Sequence, residues 1–168
     1  MKRYFSLLTV CLLLLASLFT FAAPCKAAAA DDFVPEGQAL VSQTTQTLAN
    51  GNIVTVTVSE SPVSTYASSF AKNGSKTYTL RKSDGTVLWT FTVNGVFTVT
   101  TGVSSVCTEA TYDYTIYNSV WHFGSASATR SGNKAIGNGS FDRKLISFVL
   151  ETQTCEVVLT CDTNGNLS

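Results

Sequence analysis

The stretch TVLWTFTVNGVFTVT, Thr86–Thr100, decides the fold because an Asn-Gly pair lies between its two apolar runs. Such a pair predicts a tight hairpin, since a type I′ turn needs positive φ at both central residues. The spacing of the large side chains favours a continuous strand instead. They occupy odd positions on both sides of the pair: Val87, Trp89, Phe91, Val93, Phe97 and Val99.

A two-residue turn at Asn94 and Gly95 would disrupt this pattern. It would set Phe91 opposite Thr98 and mix bulky and polar side chains on each face, as a one-residue register slip does. The sequence therefore predicts one strand of about 15 residues, with Gly95 at a bend or bulge where no side chain fits. The hairpin remains the alternative.

The first 30 residues have the three-part layout of a secretory signal peptide. Lys2 and Arg3 precede an apolar segment, and the small-residue stretch APCKAAAADD follows it. We expect residues 1–30 to form a signal helix that is cleaved off, and residues 31–168 to form one secreted domain. That domain would be extracellular, either free in the medium or associated with the cell surface.

Two alternatives to a cleaved signal remain. The apolar segment of about 19 residues is barely long enough to span a bilayer uncleaved. Cys25 could carry a lipid, although Pro24 does not fit a bacterial lipobox.

Cleavage would leave a mildly acidic domain. The chain has 11 basic and 11 acidic residues, and removing Lys2, Arg3 and Lys26 leaves 8 basic residues against 11 acidic ones. Basic residues cluster only in pairs such as Arg81-Lys82, so the composition argues against nucleic acid as a partner. Membrane contact is expected only through the signal segment before cleavage.

Alternation with period two dominates residues 31–168 and predicts an all-β fold. In one segment Val54, Val56 and Val58 alternate with Thr and Ser. Turn residues separate the alternating segments at Asn50-Gly51, Asn73-Gly74, Ser83-Asp84-Gly85, Ser131-Gly132-Asn133 and Asn164-Gly165. We predict a single antiparallel β-sandwich of about seven or eight strands, with a closed β-barrel as the alternative.

Two segments of this domain have more specific predictions. In the first hairpin the pattern favours a three-residue loop, Asn50–Asn52, which pairs Leu48 with Val54. Ser61–Ser75 is rich in Ser and contains Pro62, so we predict a mobile loop or a loosely attached edge there.

Three cysteines remain in the expected domain, namely Cys107, Cys155 and Cys161. Cys155 and Cys161 are six residues apart, which on one strand separates them by about 20 Å and forbids a disulfide between them. Because an oxidising compartment permits disulfides, we predict a Cys107–Cys161 bridge, with Cys107–Cys155 or no bridge as alternatives.

Two segments carry a resemblance to known proteins. KTYTLRKSDGTVLWTFTVNG, Lys76–Gly95, and VVLTCDTNGNLS, Val157–Ser168, resemble parts of small secreted β-rich proteins of Gram-positive bacteria that have no characterised function. The resemblance implies an exported bacterial protein with an inward-facing cysteine in its last strand. It implies no catalytic residues.

Residues that could carry catalysis are few. His122 is the single histidine, and neither a His pair nor a Cys-x-x-Cys motif predicts a metal site. Glu109 and Asp113 share a face of one predicted strand but lie more than about 13 Å apart, too far for a glycosidase pair. Asn73 and Asn138 begin glycosylation sequons, which otherwise indicate turns. We predict no metal, no cofactor and no enzymatic activity.

Three aromatic residues are the candidate ligand-binding residues. Tyr117, Trp121 and Phe123 crowd the junction between two predicted strands, where a sandwich exposes its loops. Aromatic faces there could stack on sugar rings or anchor a partner protein. The alternative is that these side chains fill one end of the core.

The sequence therefore predicts a secreted, non-catalytic protein with a binding or structural role, and with a cell-wall glycan or another surface protein as its partner. A second hypothesis is a toxin or bacteriocin-like protein that acts on membranes. It requires an exposed apolar hairpin, for which the low-charge strand 86–101 is the candidate. A third hypothesis is a small hydrolase that uses His122.

Overall fold

The computed structural model describes residues 33–62 and 68–168, so the predicted signal segment lies outside the described residues. The described part contains eight strands and no helix. The strands are β1 (Ala39–Thr47), β2 (Ile53–Glu60), β3 (Ser69–Arg81), β4 (Val87–Thr100), β5 (Ser104–Ile116), β6 (Trp121–Ser131), β7 (Lys134–Leu145) and β8 (Phe148–Thr160). They form two antiparallel sheets, β1-β2-β3-β4-β5 and β6-β7-β8. The predicted sandwich is confirmed, and the strands of the described part do not close into a barrel.

Strand β4 runs unbroken through the Asn-Gly pair, as predicted. Asn94 pairs with Ser75 of β3, and Gly95 pairs with Gly74. A Cβ on Gly95 would lie 2.7 Å from the ring of Phe97. The glycine is required because an aromatic ring occupies the space above it, and the backbone needs no turn there.

The prediction of a loop across Ser61–Ser75 is wrong from Ser69 onward, where β3 begins. Residues 63–67 of that segment lie outside the described part. The Lys72 ammonium lies 2.7 Å from the Glu60 carboxylate, and the lysine side chain is almost fully buried. This ion pair ties the first half of β3 to the end of β2, so the Ser-rich composition does not detach the segment.

The predicted turns at Asn73-Gly74 and Asn138-Gly139 are also wrong, because both pairs lie inside strands. Side chains from the core occupy the space that a Cβ would need at each glycine. Gly51 and Gly165, by contrast, lie at real turns and have φ of 81° and 86°. Asn-Gly therefore marks a turn in this chain only where the glycine has positive φ.

The β1–β2 hairpin has a three-residue loop, but it lies one position earlier than predicted, at Ala49–Gly51. The Leu48 N–H donates to the Asn52 carbonyl at 2.7 Å, so Leu48 lies opposite Asn52 and not opposite Val54. The last position of such a loop needs positive φ. Gly51 meets that need, and this fixes the register.

The core lies between the two sheets and is centred on fully buried aromatic residues of β4 and β7. The Trp89 ring stacks on the Phe141 ring with centroids 4.0 Å apart, and on the Tyr78 ring at 5.4 Å. Trp89 is thus a core residue, as its place in the alternation predicted. Burial of a side chain of this size stabilises the fold by about 2 to 3 kcal/mol.

Several β-bulges interrupt the alternation, and those in β5 and β6 change which residues of these two strands face the core. Thr108 is an extra residue in β5 opposite β4, so Cys107 and Tyr112 both face inward although one number is odd and the other even. Gly124 is an extra residue in β6 opposite β7 and changes the alternation after Trp121 in the same way. Strict alternation fails at both places because a bulge shifts every later side chain by one position.

The three cysteines of the described residues carry free thiols, so the predicted Cys107–Cys161 disulfide is absent, as is the alternative with Cys155. The Cys107 thiol donates to the Glu109 carbonyl at 3.2 Å, and the Cys161 thiol contacts the Asp162 carbonyl at 3.6 Å. Each of these two sulfurs therefore contacts a backbone carbonyl close to it in the chain. Burial raises the pKa of all three thiols, and that of Cys155 to about 12.

Candidate binding surface

Exposed apolar side chains concentrate at the turn between β7 and β8. This turn carries LISFVL, Leu145–Leu150, in which Ile146 is 91% exposed and Phe148 is 75% exposed. Leu145, Val149 and Leu150 are also more than half exposed. We call these five apolar residues the apolar tip. Such a cluster is rare on a soluble surface that has no binding role.

The backbone at the apex of the tip is strained. Leu145 pairs with Phe148, so Ile146 and Ser147 form a two-residue loop. Ile146 has a φ of 57°, and it is the one non-glycine residue with positive φ in the described part of the chain. A left-handed conformation costs about 1 to 2 kcal/mol for an ordinary residue, and a β-branched side chain is among the least suited to it.

A bulge below the apex adds to the exposed apolar surface. Arg143 pairs with Glu151 and Lys144 pairs with Val149, which leaves Leu150 as the extra residue of β8. The Lys144 N–H donates to the Val120 carbonyl at 2.8 Å, so the base of the hairpin is fixed to the β5–β6 turn. The apolar tip therefore projects from a hairpin whose base is hydrogen-bonded to the rest of the domain.

A hollow of about 410 Å³ lies behind the tip and is lined by three cationic side chains, those of Lys82, Arg143 and Lys144. Leu145 and Leu150 of the tip form one side of it. The lining contains no acidic side chain. The hollow therefore combines an apolar wall with an excess of positive charge, and we call it the basic hollow.

The acidic residues beside the hollow already have hydrogen-bond partners. The Asp84 carboxylate accepts the Thr86 N–H at 2.8 Å, and this bond lowers the pKa of Asp84. The Asp142 carboxylate accepts the Thr152 hydroxyl at 2.7 Å. The third acid, Glu151, lies 3.4 Å from the Arg143 guanidinium in an exposed ion pair, which contributes little to stability.

The three predicted ligand-binding aromatics do not form one surface. Tyr117 is 55% exposed and contacts Phe33 edge-on at 6.2 Å. Trp121 is buried and supplies part of the lining of the basic hollow. Phe123 is half-buried and stacks on Tyr114 at 4.2 Å. Two of the three thus pack against the core, and Tyr117 is the one whose ring is mostly exposed to solvent.

His122 lies exposed on the outer face of β6 and pairs across the strands with Asp142. Asp142 in turn lies between the histidine and Thr152 of β8. The Thr152 hydroxyl donates to the Asp142 carboxylate at 2.7 Å. Among the described residues no group of three or more His, Cys, Asp or Glu side chains is placed to hold a metal ion.

The low-charge strand 86–101 is not the exposed apolar segment that the membrane hypothesis required. β4 is a central strand, and Phe91, Val93 and Phe97 have no exposed surface. The apolar tip has the exposure that β4 lacks. Sequence reasoning missed it because six residues without Gly, Asn or Pro do not look like a turn, although their lack of alternation was a usable sign.

Among the described residues, none belongs to a helix long and apolar enough to cross a membrane. No protein-family model, curated protein or solved structure matches this chain. The geometry of the apolar tip and the basic hollow is therefore the ground for a functional proposal.

Proposed function

We propose that this is a secreted, non-catalytic protein that binds peripherally to lipid surfaces with anionic headgroups. The apolar tip enters the boundary between headgroups and acyl chains, and the basic hollow receives a headgroup phosphate. The observation that carries the proposal is Ile146, an apolar side chain held almost fully exposed in a strained conformation beside three cations. Strain and exposure at one residue are costs to folding, which suggests a binding role.

The two parts of this surface act on different components of a membrane. Ile146 and Phe148 would each gain up to about 2 kcal/mol when their exposed surface leaves water. Lys82 and Lys144 would each gain about 1 kcal/mol near an anionic leaflet, and Arg143 would gain less because Glu151 already offsets its charge. Because one weak anchor gives only marginal binding, the combination of insertion and charge is what makes attachment stable.

Co-sedimentation with lipid vesicles tests the proposal. We expect the protein to sediment with vesicles of phosphatidylglycerol and phosphatidylcholine, and much less with phosphatidylcholine alone. The double variant Ile146→Ser/Phe148→Ser should weaken binding by about tenfold or more, because both inserted side chains become polar. Lys82→Gln/Lys144→Gln should weaken it by a similar factor and reduce its salt dependence.

The matched control is Val103→Ser/Val106→Ser, which removes two exposed apolar side chains near the β4–β5 turn at the other end of the sandwich. This control should bind vesicles as the unchanged protein does. Equal losses in the tip and control variants would contradict the proposal. Sedimentation with peptidoglycan but not with vesicles would instead support a cell-wall glycan as the partner.

A further inference from the structure

The two sheets differ in width, and this difference creates a groove. β8 is the edge strand of the smaller sheet and packs against β3 and β4, whereas β1 and β2 extend beyond it. A groove of about 500 Å³ runs between the inner face of β1–β3 and the free edge of β8. We call it the side groove. It is separate from the apolar tip and the basic hollow in its lining residues.

The floor of the side groove is mainly apolar. Val56, Val58 and Tyr78 form it, and Val157 and Val158 form the wall on the β8 side. Tyr78 is held in place by stacking on Trp89. A floor of this kind matches the inward face of a strand, where every second side chain is apolar.

The edge of β8 already accepts another strand at one end. The Thr160 N–H donates to the Ser168 carbonyl at 2.9 Å, and the Ser168 N–H donates to the Thr160 carbonyl at 3.0 Å. Cys161 and Leu167 form an antiparallel bridge beside them. Because the direction of N–H and C=O alternates along a strand, Val158 and Glu156 also present both groups to the free edge.

Lys76 is the cationic side chain of the groove lining, which also includes Glu156 on the β8 side and the hydroxyl groups of Ser42 and Thr44. It projects from β3 beside Val157, and burial lowers the pKa of its ammonium group. Within the described residues no carboxylate lies close enough to form an ion pair with it. A partly buried ammonium without a carboxylate favours a ligand that brings one.

We propose that the side groove binds an extended peptide segment of a partner protein as a fourth strand of the smaller sheet. The segment pairs antiparallel with β8, directs apolar side chains toward Val56 and Tyr78, and places a carboxylate on Lys76. Residues 167–168 establish the direction and the register, since they already pair with β8 in this way. This is recognition by strand addition, in which the backbone supplies affinity and the pockets supply specificity.

The register specifies the probe. A strand that continues from Ser168 would direct its first, third and fifth residues inward, with the third opposite Val157 and nearest to Lys76. The probe is therefore the synthetic peptide Val-Thr-Asp-Thr-Val-Thr, acetylated and amidated at its ends. Its partner probe has Asn in place of Asp.

Hydrogen exchange on the full chain, with about 1 mM peptide, measures strand addition directly. We expect slower exchange of the Val158 and Glu156 amides. Val158→Pro removes an outward N–H and should weaken peptide binding about tenfold, whereas the matched control Val158→Thr keeps the N–H and should bind normally. Lys76→Gln should weaken the Asp peptide several-fold and the Asn peptide much less.

A second experiment attaches the peptide to the protein, so that the result does not depend on the affinity of the free peptide. The same six residues appended after Ser168 should protect the Val158 and Glu156 amides at any protein concentration. If neither the free peptide nor the appended strand protects these amides, the proposal fails. Equal peptide binding by Val158→Pro and Val158→Thr also overturns it, as does protection that arises only from self-association. Vesicle binding by the tip is unaffected by any of these outcomes.

Discussion

Two apolar regions of this molecule differ in solvent exposure. β4 and the apolar tip are both rich in large apolar residues, yet Phe91 of β4 is fully buried and Phe148 of the tip is 75% exposed. β4 lies inside the larger sheet, between β3 and β5, and is covered by β7 and β8, whereas the tip lies beyond the cover of the opposite sheet. The difference teaches that burial depends on what lies across from a residue as well as on its hydrophobicity.

The largest expected effect comes from truncating the same residue type in both regions. Phe91→Ala should lower the free energy of unfolding by about 3 to 5 kcal/mol, since it leaves a cavity in a packed core. Phe148→Ala should change it by less than about 0.5 kcal/mol, because the ring has few packing partners. Urea denaturation measures both. Similar losses for the two variants would mean that the tip is packed and not exposed.

Gly95→Ala tests the continuity of β4. The added methyl group would meet the ring of Phe97, so we expect a loss of about 1 to 3 kcal/mol in the free energy of unfolding. The double variant Gly95→Ala/Phe97→Leu should lose less than the two single changes together, because the smaller side chain relieves the clash. Purely additive losses in urea denaturation would show that the ring does not restrict this position.

The buried thiol of Cys155 predicts a pH dependence that an exposed region lacks. Its pKa in the folded protein is raised to about 12, above the ordinary value near 9, because burial disfavours the thiolate. Above pH 9 the unfolded chain loses this proton while the folded chain keeps it, so stability falls as pH rises toward 12. At pH 10 the loss should be about 1 kcal/mol relative to pH 8.

Cys155→Ala is the matched control for this pH dependence. The variant keeps Tyr78, whose pKa is raised to about 12 mainly by burial, and it removes only the smaller electrostatic contribution of Cys155 to that shift. The fall in unfolding free energy between pH 8 and pH 10 should therefore be smaller in the variant. An identical fall in both proteins would show that Cys155 is accessible to water.

The smallest expected effect is a gain in stability. Ile146→Asn replaces a β-branched residue at positive φ with one that tolerates the left-handed conformation. The free energy of unfolding should rise by about 0.5 to 1 kcal/mol while vesicle binding falls. Thermal denaturation and co-sedimentation on the same sample measure the two changes. A variant that is less stable, or that binds vesicles more tightly, would contradict the role given to Ile146.

The candidate binding surface was much less predictable than the fold. The sequence indicated the aromatic residues at the β5–β6 junction, but Trp121 and Phe123 pack into the end of the core. The apolar tip could not be predicted without knowing where the opposite sheet ends. The basic hollow brings Lys82 of the β3–β4 turn together with Arg143 and Lys144 of β7. Side chains so far apart in the chain come together only through tertiary packing.

The Asn-Gly pairs show which features the sequence determined and which features only tertiary packing determined. Alternating side chains alone determined that β4 continues through Asn94-Gly95, because period two fixes which face each residue occupies. Asn73-Gly74 and Asn138-Gly139 carry the same local turn preference, yet only the core side chains packed over their glycines decide that they are strand. A turn preference of a few tenths to one kcal/mol is outweighed by the packing of a whole side chain, and that packing exists only once the sheets have met.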